Sequence, residues 1–173
     1  MDNAWKKVVW QQFGAAIDML ENAMRACPDE LWVADPTKRP EWVKNDVVGF
    51  WYLAYHTLFF LDYYLSDPGD GFAPPAPFTL DERDPAELLP ERAYTKAELL
   101  GYLDHSRRKC RATVEALSDE NAHQRCGFKR LEITSAELLL YNMRHVQHHT
   151  AQLNLLLRQN IGSAPRWVVK ALD

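Results

Sequence analysis

A chain of 173 residues, 47% hydrophobic and 25% charged, is long enough for one domain with a sizeable core and has the make-up of an ordinary soluble globular protein. Its net charge of −4 argues against nucleic acid or an anionic membrane surface as the main partner. Three cysteines without a CxxC pair, Cys27, Cys110 and Cys126, read as reduced thiols of a cytoplasmic protein rather than as a disulfide framework.

The N-terminus has no sustained apolar run, so no signal peptide is expected, and the chain reads as a single domain over residues 1–173. From Asn3 to Cys27, Val9, Phe13, Ile17, Leu20 and Met24 recur in steps of four, four, three and four, a helical stripe facing a core. Pro28 ends this first helix. Leu31 to Pro40 reads as a loop whose Trp32 tucks back onto the bundle. The spacing predicts a second helix over Trp42 to Leu65. Its Val47 to Leu65 portion approaches membrane-span hydropathy but carries His56, Thr57 and Asp62, and no other segment could pair with it in a bilayer. It reads as a buried helix with an inner stripe of Gly49, Tyr52 or Leu53, His56, Phe60 and Tyr63, and no membrane association is expected.

Ser66 to Gly71 stops that helix, and the stretch on to Tyr94 is rich in proline and acid. A connection this long can cross the bundle and join two parallel helices. Thr95-Lys96-Ala97-Glu98 is a capping box that opens a third helix, reaching about Leu117, with a stripe of Leu99, Leu103, Ser106, Cys110, Val114 and Leu117. Ser118 to Ile133 reads as polar and irregular. Thr134-Ser135-Ala136-Glu137 is a second capping box, opening a long fourth helix that ends near Asn160 with Gly162 close to its C-cap. Pro165 to Asp173 has room for one short turn. With no repeat and no alternating strand pattern, the predicted class is all-α: a four-helix bundle with a long crossover between helices two and three.

The fourth helix carries the chemistry. Its predicted seam is Leu138, Asn142, His145, His149, Gln152 and Leu156, four consecutive polar positions between leucines. Burying such groups unpaired costs roughly 1–3 kcal/mol each, so packing alone does not account for the run. The alternative is a hydrogen-bonded polar network or a wet cleft. His145 and His149, four residues apart, place both rings on one helix face with Cβ atoms about 5–6 Å from each other. His56, midway along an apolar helix, is the best third ligand for a divalent metal ion, and three neutral imidazoles leave a coordination position open. Asn142, Gln152 and Tyr52 are candidate acceptors for the outer ring nitrogens. His148, rotated roughly 60° from His145, is a pocket or exposed residue. His105 and His123 read as surface residues. The single ExxH at Glu120 to His123 lacks the second copy a di-iron site needs, and Val146 stands where a zinc protease requires glutamate. Cys110 lies on an inner stripe, near the metal or as a buried structural thiol.

These residues resemble the DinB-like superfamily of three-histidine four-helix bundles. The matching features are His56 within Ala54-Tyr55-His56-Thr57-Leu58, and His145-Val146-Gln147-His148-His149-Thr150-Ala151-Gln152, where family members often show HxxHHRGQ. All three histidines and the glutamine are kept; Thr150 and Ala151 replace the common Arg-Gly. The resemblance covers roughly Trp5 to Asn160 and implies up-down-down-up helices, with His56, His145 and His149 as ligands of nickel, zinc or a similar ion. Some relatives are S-transferases or isomerases that use low-molecular-weight thiols. The expected function is therefore a metal-dependent transferase acting on a small-molecule thiol. The alternatives are a metal-dependent hydrolase, and a non-catalytic stress-response module that oligomerises, for instance as a homodimer, through Trp5, Trp32 and Trp167.

Overall fold

In the computed structural model, which describes residues 3–33, 49–66, 71–83 and 90–171, the stripe of the first helix is buried along its whole length. Helix α1 spans Asn3–Ala26 and stops before Pro28, which precedes a single turn, α2, over Asp29–Trp32. Trp32 is buried, as expected, and its indole N–H donates to the Tyr94 carbonyl at 2.9 Å.

Helix α3 covers Phe50–Tyr64 behind an extended Gly49; residues 42–48, the predicted start of this helix, lie outside the described residues. So do residues 34–40 of the predicted loop and 67–70 and 84–89 of the connection after α3. The helix is apolar on nearly every side, which is the signature of a fully surrounded element. It is packed by α4 (Lys96–Glu115) and α6 (Ser135–Ile161). Tyr52, Leu53, His56, Phe60 and Tyr63 are half-buried, while the deepest residues are Phe50, Trp51, Ala54, Tyr55, Leu58, Phe59 and Leu61. The predicted stripe runs along the margin of the packed face.

Both capping boxes form, with Thr95 and Thr134 each accepting from the backbone N–H three residues on. The α4 stripe from Leu99 to Leu117 is buried throughout. The segment predicted as irregular contains a further turn, α5 (Asp119–Ala122), capped reciprocally by Ser118 and Asn121. Beyond it an isolated antiparallel bridge between Arg125 and Thr134 leads the chain into α6. That helix ends at Gly162, whose φ of 74° is the left-handed C-cap expected of glycine. The turn expected at Pro165 is not formed. Residues 163–171 lie against α1 instead, the Ala171 N–H donating to Gln11 O at 2.9 Å.

Helix α1 packs on α4 and α6, and α3 packs on the same two, so the four long helices close a cycle around one core. Polar ties reinforce it. Arg107 of α4 pairs with Asp18 and Glu21 of α1, and Lys109 and Tyr102 of α4 both reach the buried Asp62 of α3, at 2.5 and 3.1 Å. Among the described residues there is no strand, and no helix is long and apolar enough to cross a membrane.

The described part of the crossover, residues 71–83, is fastened to this frame by aromatic rings. Phe72 meets Phe59 and Tyr63, with centroids 5.3 and 5.2 Å away, and Phe78 stacks on Tyr102 at 4.5 Å. The Tyr55 hydroxyl donates to Thr79 O at 3.0 Å. The segment ends in a 3₁₀ turn, Asp81–Arg83, laid over α3 beside His56.

Candidate metal centre

Two helices supply the site. On α6, the four-residue spacing stacks His145 and His149 one turn apart, with ring centroids separated by 4.6 Å. On α3, His56 faces them across the helix–helix contact, 5.5 Å from the His145 ring and 4.8 Å from that of His149. One ligating nitrogen from each of the three lies within 4.8 Å of the other two. This is the only such group of three or more His, Cys, Asp or Glu among the described residues.

The site sits shallower than predicted. All three histidines are half-buried and Gln152 is exposed; the buried face of α6 is Leu138, Leu139, Asn142, Val146, Thr150, Leu153 and Leu157. Of the predicted polar seam, Asn142 enters the core, while His145, His149 and Gln152 border it. Polar side chains are tolerated there because one flank keeps access to water. The other flank is aromatic: Phe60 lies 4.9 Å from the His56 ring and 5.7 Å from that of His145, and Tyr64 lies 6.3 Å from the latter.

Two of the three rings have a nitrogen held by a neighbouring side chain, as ligating imidazoles commonly do. His149 Nδ1 meets Gln152 Oε1 at 2.7 Å, Gln152 being one of the three candidate acceptors. His56 Nδ1 meets Glu82 Oε2 at 2.8 Å, which sequence reasoning missed. Nothing in the spacing marks Glu82, 26 residues away in an acid-rich connection. Asn142 instead turns to α3, its amide donating to the Leu61 carbonyl at 2.9 Å. Tyr52, one turn before His56, sets its ring against Trp51 and Tyr55. His148 is exposed, its ring 5.0 Å from His149. Cys110 is fully buried in the α4 stripe and stands apart from the histidine group, a structural thiol.

The electrostatics suit a cation. Burial, with the neighbouring His149, His56 and His148, pushes the proton affinity of His145 down to about 3. His149 is lowered as well, chiefly by burial, with the Gln152 hydrogen bond opposing. Imidazoles that resist protonation present lone pairs at neutral pH, the form a metal takes. His145 Nδ1 is buried without a hydrogen-bond partner among the described residues. Three neutral nitrogen donors suit zinc, nickel and neighbouring divalent ions. The residues present fit such a group.

A helical protein with three histidines converging from two of its helices is, as a class, an all-α protein with a candidate metal centre. Residues 12–153 match the DinB superfamily, and the chain belongs to it. The match spans all three histidines, as their motifs implied. Comparison with curated proteins gives no match.

Proposed function

We propose that the protein binds one divalent metal ion, nickel or zinc, through His56, His145 and His149, and works as a transferase on a low-molecular-weight thiol. The observation that carries the metal half is the convergence of three ring nitrogens within 4.8 Å. The thiol half rests on resemblance, since some relatives use such thiols. The same reading gives one cytoplasmic domain over residues 1–173, with the helices running up-down-down-up and the crossover joining α3 to α4.

An ion bound here would lower the pKa of a sulfur ligand and favour the thiolate at neutral pH. The chain's residues prepare the place. Glu82 and Gln152 fix the outer nitrogens of His56 and His149, so that both rings present their other nitrogen inward. Desolvation keeps His145 a neutral donor. Phe60 and Tyr64 wall one side, and the half-exposed flank leaves room for the thiol and its electrophile.

The test is metal content. Purified without chelator or affinity metal, the protein should carry about one equivalent of a divalent ion by mass spectrometry, the load of a single three-ligand site. His145→Ala should lose it. A wild-type content no higher than that of His145→Ala would end the metal reading. Screening small thiols against model electrophiles then addresses catalysis: the expected result is saturable turnover abolished in His56→Ala, and metal-loaded protein inert to every pair would leave the hydrolase and the binding module.

A further inference from the structure

Glu82 is an unusual residue to bury. Its side chain is only 6% exposed, yet one oxygen contacts His56 Nδ1 and the other, Oε1, has no hydrogen-bond partner among the described residues. Another buried carboxylate, Asp62, shows what a structural role looks like. Asp62 has Lys109 on one oxygen and the Tyr102 hydroxyl on the other. Glu82 has no lysine or arginine at ion-pair distance among the described residues; its neighbour Arg83 lies over the Tyr63 ring instead, 4.5 Å from the centroid. A buried carboxylate without a cation is a net liability unless a positive charge is supplied nearby. A cation held by the histidine group beside it would supply that charge.

Resting on the metal reading above, we propose that Glu82 is the positioning residue of the metal centre. Its Oε2 accepts the proton of His56 Nδ1, which fixes the tautomer with Nε2 directed at the ion, and its charge offsets part of the ion's. A carboxylate on the outer nitrogen both orients a ligating imidazole and makes it a stronger donor. The carboxylate is delivered by the crossover and not by either histidine helix, and the crossover is locked in place by Phe72, Phe78 and the Tyr55–Thr79 hydrogen bond. The long connection after α3 thereby completes the site.

Cobalt(II) titration of the metal-free protein, followed by its visible absorption, tests the assignment in wild type, Glu82→Gln, Glu82→Ala and His145→Ala. Loss of such a partner typically costs about 10–100-fold in metal affinity. Glu82→Ala should show a weakening of that size and an altered cobalt spectrum. Glu82→Gln, which keeps an acceptor but no charge, should fall between it and wild type. Melting of the metal-free proteins should be no lower in the Glu82 variants, whereas a purely structural role would lower it. Equal affinity and spectrum in wild type and Glu82→Ala, with His145→Ala unable to bind, would overturn the role of Glu82 alone. Wild-type protein that binds no cobalt would overturn this proposal together with the metal reading.

Discussion

His148 and His149 are neighbours in sequence but stand about 100° apart around α6, and that single step separates their chemistry. His149 is half-buried, anchored by Gln152 and grouped with His56 and His145; His148 is exposed. His148→Ala should leave the metal content of the purified protein unchanged, whereas His149→Ala should abolish it; equal losses by mass spectrometry would place His148 among the ligands. The cysteines divide from function just as clearly. Burial pushes the Cys27 thiol up to about 12 although Lys96 opposes, and burial drives Cys110 well above the ordinary thiol range. A thiol reacts as its thiolate. A raised pKa keeps both protonated throughout the neutral range, so neither serves as a nucleophile. At pH 8, peptide mapping after brief exposure of native protein to a thiol-alkylating reagent should find Cys27 and Cys110 unmodified, and modified once the protein is denatured.

At the scale of the helix, the sequence was most legible where side chains state their own periodicity. The α1 and α4 stripes were predicted residue for residue because each helix has one apolar face and a polar remainder. Both capping boxes were visible for a similar reason, being local and stereochemically specific. Thr134→Ala should therefore cost about 1 kcal/mol of stability, the usual worth of an N-cap, measured by urea unfolding with no change in metal content. The faces of α3 and α6 were harder. Helix α3 is apolar nearly all round and gives no phase, and α6 touches both α1 and α3, which widens its buried arc beyond a seam. The histidines were found, but their burial was overestimated by about one helical step. Glu82 was beyond reach, because a contact between a loop and a helix 26 residues away has no period to betray it.

At the scale of the molecule, the histidine cluster couples two helices that are otherwise held to each other chiefly by packing. The described polar ties join chiefly α1 to α4 and α3 to α4, whereas α3 and α6 share the Asn142–Leu61 hydrogen bond and α1 and α6 the long Gln147–Met19 contact. An ion held by His56 and the α6 pair would add a cross-link where the described polar ties are few. A ligand that binds only the native state stabilises by roughly 2.7 kcal/mol at a hundred times its dissociation constant. For a chain of this length each kcal/mol is worth about 2–4 °C, so chelation should lower the melting temperature by about 5–10 °C. The metal-free chain should nevertheless stay folded, because burial already depresses His145 and His149 and leaves that pair little tendency to charge and repel. Calorimetry with chelator, and again after zinc or nickel is restored, is the measurement. Wild type should lose and regain the increment while its far-ultraviolet circular dichroism stays constant. His145→Ala should melt at one temperature under all three conditions. A wild-type melting temperature indifferent to chelator and added metal alike would mean that the histidines form a polar network at the edge of the core, with no ion between them.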